Sequence, residues 1–357
     1  RNDQALKDLA LRYSKFFKQY PSLNLADICY TANTGRHHFD NRLAIWGSSN
    51  ESIKSSIDLW LEGSPTPNVS HYKLKVNQKN QCAFLFTGQG SQHPNMGLEL
   101  YKSEPTFRDT LDYCASILDP LLPKKLLEVM YPSNHEDTAI HQTLFSQPAL
   151  FSLEMALANL WKSWGIIPSY VLGHSLGELS AACFAGVFSL EDGLRIVAKR
   201  AELMQAQHHA GEMWSIQIEQ EKLIPYLLDN PSEISIAAVN GHQSTVISGA
   251  KKIMPAIIAK LNQDGIKTQQ LTTSHAFHSP LMAGAVAPFK EFLKSIPMHS
   301  PSIPMMSNVS GGVMGEEVVG ADYWCNQILK PVLFLQNIQT LSEKGCTNII
   351  EIGPKPV

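Results

Sequence analysis

The chain has 357 residues, 44% apolar and 17% charged, which is enough to build sizeable cores and too long for one small domain. A net charge of −3 argues against the basic stripe of a nucleic-acid surface. No apolar run approaches the ~18 residues that cross a bilayer, so no membrane partner is expected. The chain opens RNDQALKD, without an initiator Met or a signal peptide, and reads as a fragment cut from something larger or as a processed chain; its cysteine usage leads to the expectation of a cytoplasmic protein. Its six cysteines are scattered, with no C-x-x-C pair, and are expected to be reduced thiols rather than metal ligands.

In chain order, residues 3–19 place Leu6, Leu9, Tyr13 and Phe17 on one side of a helix that Pro21 stops. A short helix (ADICYTA), a strand-like HFDNRLAIW and a second amphipathic helix, ESIKSSIDLWLEG, follow. The loop GSPTPN, with Pro65 and Pro67, signals a boundary, so residues 1–78 are expected to form a small α/β domain with no catalytic cluster. From Gln81 onward, short apolar strands alternate with helices. CAFLF runs into the Gly-rich turn TGQGSQ. A long helix is predicted to start near Pro148, a favoured first-turn residue, with Leu150, Leu153, Leu157, Leu160, Trp161 and Trp164 as its apolar face. SYVLG is a strand running into a helical HSLGELSAACFAG, and TNIIEIG is a further strand. The alternation predicts an α/β fold around a parallel sheet.

Between residues 211 and 272 the order becomes β-α-β-β-α-β. MWSIQI, EISIAAVNG, STVISGA and IKTQQLT supply the strands, EKLIPYLLDN and KKIMPAIIAKLNQDG the helices, as in a ferredoxin-like insert. The expected division is therefore 1–78, a core of 79–210 with 273–357, and an inserted 211–272.

Gly173-His174-Ser175-Leu176-Gly177 fits G-x-S-x-G, the nucleophile elbow, with a strand before it and a helix after it. A serine on such a turn is held clear of the sheet, and the following helix N-terminus favours an oxyanion. The serine needs a base from a separate loop. Among the 13 histidines, the best loop candidates are His275 and His278 in TTSHAFHSPLM, which follows the insert. A pair of histidines three apart could also hold a metal, but no third ligand is evident. The glycines of TGQGSQ do not make a dinucleotide loop, because His93 stands where G-x-G-x-x-G needs its third glycine.

Taken together, FTGQGSQ (86–92), SQPALF (146–151), GHSLGE (173–178), RAELMQ (200–205), AAVNG (237–241), HAFHSPLM (275–282) and EIGP (351–354) resemble the malonyl-CoA:acyl carrier protein acyltransferase family, in its modular polyketide-synthase branch. YTANTGRHHFDNRLAI (30–45) resembles the ketosynthase-to-acyltransferase linker of that branch. The resemblance implies an α/β-hydrolase-like core with a parallel sheet, the ferredoxin-like subdomain and a small N-terminal α/β linker domain. It implies that Ser175 is the nucleophile and His278 its base, in a dyad whose histidine is oriented by backbone carbonyls. The oxyanion would sit on the backbone N–H groups of Gln89 and Leu176, each such donor being worth about 3–4 kcal/mol. Arg200 would grip the malonyl carboxylate through its planar guanidinium, with Gln147, His174, His275 and Phe277 lining the same pocket. From the sequence alone, Arg200 is equally readable as a surface arginine beside the stripe Leu190, Leu194, Val197, Ala201 and Met204, on a helix capped by Ser189.

The implied reaction moves a malonyl unit from malonyl-CoA through an acyl-serine to the phosphopantetheine thiol of an acyl carrier protein. No metal or bound cofactor is needed, and the partners are the carrier protein and a neighbouring ketosynthase. HAFH resembles the malonyl-selective form of its loop, because Phe277 fills space an α-methyl group would need. The chain departs from the family at Glu212 and Trp214 in GEMW, at Leu333 in KPVLF and in GPKPV. His208 and His209 are expected to face solvent. The competing readings are a methylmalonyl-selective transferase, a scaffold without catalysis, and a serine hydrolase or thioesterase. The hydrolase would draw its triad acid from Asp229 or Asp264.

Overall fold

The computed structural model describes residues 2–74, 81–134, 137–207, 211–273 and 275–355. The chain forms two compact units, Arg1–Lys79 and Asn80–Val357. Its strands in chain order are β1 (Asn41–Ile45), β2 (Val69–Lys73), β3 (Cys82–Phe86), β4 (Tyr170–Gly173), β5 (Gly211–Ile216), β6 (Ile234–Gly241), β7 (Ser244–Ala250), β8 (Thr268–Leu271) and β9 (Asn348–Ile352).

In the first unit, helices Asp3–Gln19, Leu25–Thr34 and Asn50–Leu61 each start on a polar cap. The third carries a reciprocal Ser49–Ser52 capping box, which satisfies two otherwise orphaned N–H groups. Ala10, Phe17, Ile53 and Ile57 form the buried core. β2 was not expected, because only HFDNRLAIW reads as a strand here. β2 is almost wholly exposed, so it lacks the apolar alternation that marks a strand in sequence; pairing with β1, from Asn41↔Lys73 to Ile45↔Val69, creates it.

The second unit is built on a parallel sheet of order β4-β3-β9. Phe86 stands opposite both Gly173 and Ile352, so the carboxyl ends of all three strands finish together. The segment around Met305 runs alongside β4: Val171 donates to the Pro304 carbonyl (3.0 Å) and Met306 to the Val171 carbonyl (2.9 Å). The fully buried Phe84, Phe86, Phe107, Phe151, Phe289 and Trp324 belong to the single large core between sheet and helices.

The long helix does not start at Pro148; it spans Thr143–Ser163, with Pro148 inside it. Proline cannot donate to the carbonyl four residues back and normally costs a helix about 3 kcal/mol. Here Phe145, Ser146 and Gln147 are all buried, and that packing holds the extra turn. EKLIPYLLDN is likewise not one helix. It gives a single turn, Gln220–Leu223, and a tight turn, Ile224–Tyr226, because Pro225 interrupts the hydrogen-bond ladder.

Strands β5 to β8 form an antiparallel sheet of order β6-β7-β5-β8, with a helix (Met254–Gln263) and a separate core of Ile216, Leu223, Ile247, Met254 and Leu261. This is the ferredoxin-like arrangement. β6 also bonds the segment near the C-terminus: Val239 donates to the Val332 carbonyl and Val332 to the Ala237 carbonyl, both at 2.9 Å.

Candidate active site

β4 ends at Gly173 and the helix Gly177–Phe184 begins four residues later, so Ser175 sits on the bend between them. Its φ of 53° lies in the left-handed region, a strained state for a residue with a side chain. Both flanking glycines are required by space. A Cβ on Gly173 would lie 2.0 Å from the Gly177 carbonyl carbon, and one on Gly177 would lie 2.2 Å from the Phe86 carbonyl oxygen. The elbow is therefore wedged against the end of β3, and its helix starts directly under the serine.

His278 also has a left-handed backbone, with φ 54°. Its Nδ1 is 2.9 Å from the Lys330 carbonyl, which can only accept, so Nδ1 carries the proton. That leaves Nε2 to accept from the Ser175 hydroxyl, 2.6 Å away. Burial lowers the His278 pKa to about 3, assisted by the positive charge of Arg200 and by His174, against the opposing pull of carbonyls at Lys330 and Gln327. The imidazole is thus neutral at physiological pH, the form that can take a proton. No carboxylate occupies the orienting position. Asp264 accepts from the Tyr226 hydroxyl instead (2.6 Å), and with Lys330 on Nδ1 neither Asp229 nor Asp264 completes a triad.

The backbone N–H groups of Gln89 and Leu176 have no acceptor among the described residues. Gly88 brings the first of these loops in: a Cβ there would meet the His174 carbonyl oxygen at 2.8 Å. The loop is anchored from below by Glu154, fully buried, which accepts from Thr87 (2.7 Å) and Ser180 (2.6 Å). Burial raises the Glu154 carboxyl to about 8.

Arg200 is only 2% exposed, so it is not the surface arginine its helix position also permits. Burial lowers its pKa to about 10, partly offset by Glu178, so it stays charged. Nη1 donates to Gln147 Oε1 (2.7 Å) and Nη2 to Gln327 Oε1 (3.2 Å), while Nε has no hydrogen-bond partner. Gln147 in turn donates to Gln89 Oε1 (3.3 Å), and Gln327 donates to the Ser175 carbonyl (2.7 Å). Two neutral amides therefore tie one buried cation to Ser175 and to the Gly-rich loop.

His174 bonds Asn240 on β6 through Nε2 (2.9 Å) and packs on Phe334, with ring centroids 5.5 Å apart. Burial lowers its pKa. His275 and Phe277 are each 7% exposed, with centroids 5.9 Å apart, and Phe277 belongs to the core that includes Leu176 and Met204. Gly211 passes so close that a Cβ would lie 2.5 Å from the Ala276 Cβ. The unusual Glu212 and Trp214 bond one another, indole to carboxylate, at 3.2 Å. His208 and His209 lie outside the described residues. Among the described residues, no group of three or more His, Cys, Asp or Glu could hold a metal ion, and no helix is long and apolar enough to cross a membrane.

Three contributors carry no motif of their own: Asn308, Gln327 and the Lys330 carbonyl. Asn308 accepts from the Ser175 N–H (2.8 Å) and donates to the Gly173 carbonyl (2.7 Å). Glu178, the last residue of GHSLGE, is fully buried beneath the elbow. Burial raises its carboxyl to about 7, against hydrogen bonds from Tyr323, Asn308 and Gln327 and the charge of Arg200.

A neutral imidazole on a serine hydroxyl at a strained elbow, beside unpaired N–H donors, is the equipment of acyl transfer through an acyl-serine. Residues 83–357 match the acyl transferase domain family, and residues 1–57 match the CurL-like polyketide-synthase C-terminal family. The chain belongs to the acyl transferase domain family, in its modular polyketide-synthase branch. It is 36% identical over 357 residues to the spectinabilin polyketide synthase system protein NorB of Streptomyces orinoci, covering 99% of this chain but 16% of that protein. The acyltransferase domain of ZmaA superposes with a TM-score of 0.90 at 32% identity, over 99% of this chain and 81% of that one. The malonyl CoA-acyl carrier protein transacylase of Clostridium perfringens gives 0.72 at 27% identity, over 77% of this chain and 87% of that one. Acyltransferases of this family take an acyl-CoA as donor and pass the group to the phosphopantetheine of an acyl carrier protein.

Proposed function

We propose that the chain loads malonyl units for polyketide assembly. Malonyl-CoA donates its acyl group to Ser175, and the phosphopantetheine thiol of an acyl carrier protein removes it. In the first half, the Ser175 hydroxyl oxygen attacks the thioester carbonyl while His278 Nε2 takes its proton. The tetrahedral oxyanion is held by the Gln89 and Leu176 N–H groups. Collapse breaks the carbon–sulfur bond, and His278 returns the proton to the coenzyme A thiolate. In the second half the same imidazole takes the proton of the carrier thiol, and Ser175 leaves with it.

The observation that carries the choice of acyl group is Arg200, a buried cation joined through Gln327 to the Ser175 carbonyl. Burying a charge is costly unless it is paired; the hydrogen-bond partners of Arg200 are neutral amides, and the Glu178 carboxyl offsets its charge only in part. A carboxylate beside the scissile carbonyl is the pairing such a site favours, which an acetyl group lacks. Phe277, packed beside His275, would crowd an α-methyl substituent and so tilts the choice toward malonyl over methylmalonyl. Residues 1–78 then serve as the linker to a ketosynthase, and 211–272 as the insert that carries Asn240 and precedes the His278 loop.

The test is intact-protein mass spectrometry after mixing with malonyl-, methylmalonyl- and acetyl-CoA. Malonyl mass on the parent, none on Ser175→Ala, and preference for malonyl under competition are expected. Methylmalonyl preference would overturn the substrate assignment. A parent that gains no acyl mass would overturn the function.

A further inference from the structure

The mechanism above leaves one buried polar cluster without a task. Ser307, Asn308, Glu178 and Tyr323 are all buried. Asn308 lies at the end of the segment that runs beside β4, which brings its side chain level with the elbow. Its amide spans the bend. Nδ2 donates to the Gly173 carbonyl at 2.7 Å, on the strand side, and Oδ1 accepts from the Ser175 N–H at 2.8 Å, on the nucleophile itself. The backbone N–H of Asn308 donates to Glu178 Oε1 at 2.8 Å. The Tyr323 hydroxyl donates to the same oxygen and is itself 2.9 Å from the Ser307 hydroxyl. Glu178 stands in the first turn of the elbow helix, and its own N–H reaches back to the Ser175 carbonyl at 3.1 Å. The loop of bonds closes on the serine from which it started.

We infer that Asn308 and Glu178 are positioning residues that hold Ser175 in its left-handed conformation, with Glu178 acting through Asn308. The inference rests on the reading of Ser175 as the acyl acceptor. A residue with a side chain at φ 53° returns to an extended or helical backbone unless its neighbours forbid it. The glycines on either side permit the bend, and the Gly177 N–H closes it on the His174 carbonyl at 3.0 Å, but neither holds the Ser175 N–H. Gln327 and the Glu178 N–H hold the carbonyl that leaves Ser175, while the Asn308 amide holds the peptide that enters it, so the φ between these two planes is set. The Asn308 amide also occupies the Ser175 N–H, which leaves the next N–H, that of Leu176, as the elbow's donor for an oxyanion. Glu178 supplies an acceptor for two donors and fixes the Asn308 backbone; it contacts neither the hydroxyl nor the imidazole. Its role needs an acceptor oxygen, not a negative charge.

The experiment measures single-turnover acylation of Ser175 by malonyl-CoA, giving a maximal rate and a half-saturating concentration, with thermal melting of each variant. Asn308→Ala should lower the maximal rate about 100-fold, as displacement of a nucleophile by an ångström does, and leave half-saturation near that of the parent. Glu178→Ala should fall to a similar extent. Glu178→Gln, whose amide oxygen still accepts, should stay within about fivefold of the parent. Tyr323→Phe, which removes one hydroxyl and little volume, should slow acylation about tenfold and keeps the test decisive if either alanine variant fails to fold. Folded Asn308→Ala or Tyr323→Phe that acylates at the parental rate would overturn the inference. So would Glu178→Gln falling as far as Glu178→Ala, or a loss expressed wholly as weaker half-saturation. Absence of acyl mass on the parent would instead defeat the assignment of Ser175, and the inference with it.

Discussion

With Arg200 holding the malonyl carboxylate as proposed, its replacement by alanine should cut malonyl acylation and leave acetyl acylation intact. Arg200 is 2% exposed and donates to Gln147 and Gln327 at 2.7 and 3.2 Å. A carboxylate in reach would accept two charge-assisted bonds, each worth about 1.5–3 kcal/mol, in a site where water competes little. Part of that gain is already spent on the two amides, so a net loss of about 3 kcal/mol is expected on truncation. At about 1.4 kcal/mol per decade, that corresponds to a fall of roughly 100- to 200-fold in malonyl acylation. Acetyl-CoA has no carboxylate and loses none of this, so its rate should hold or rise as space opens. The assay is quenched-flow acylation followed by intact-protein mass, with each acyl-CoA alone and in competition, and thermal melting to confirm the fold. A malonyl rate within about threefold of the parent, or equal losses for malonyl and acetyl, would refute the carboxylate assignment.

His278 provides a prediction in pH. Its folded pKa is depressed to about 3 by burial and by Arg200 and His174, so the imidazole stays neutral down to about pH 5. An unperturbed histidine would already be mostly protonated there. Acylation of Ser175 by a neutral p-nitrophenyl ester should therefore stay flat between about pH 8 and 5, and a fall with an apparent pKa near the usual value of about 6.5 would contradict it. Phe277→Ala should raise the methylmalonyl-to-malonyl ratio roughly tenfold or more, the scale of one methyl group in an apolar pocket. Because Phe277 is also core, a lower melting temperature should accompany the change; an unaltered ratio in the competition assay would show that it only packs.

Much of the fold was legible because local rules and tertiary packing agreed. CAFLF, SYVLG and TNIIEIG became β3, β4 and β9; the first two are short, largely buried apolar runs suited to a parallel sheet, while β9 lies at its edge and is mostly exposed before Ile352. The insert was readable from its element order, down to the antiparallel sheet its topology requires. The misreadings came where the two levels disagreed. Pro148 reads as a helix start, yet burial of Phe145 to Gln147 carries the helix past it. EKLIPYLLDN has helical apolar spacing, yet Pro225 breaks it into two short turns. β2 has an exposed surface on nearly every residue, so no periodicity announces it.

For the site, the sequence by itself determined the elbow. Gly173 and Gly177 are dictated by contacts a few residues away, or by the end of a strand that must lie alongside, and such constraints leave a dense local motif. What only the tertiary structure decided are the bonds made across distance. Ser175 meets His278 across 103 residues of chain, Asn308 across 133 and Gln327 across 152. Neither Asn308 nor Gln327 stands in a recognisable spacing, and Lys330 contributes a carbonyl, which every residue possesses. Side-chain type can announce a chemistry, but a backbone oxygen or a neutral amide becomes part of a site only through where the fold brings it.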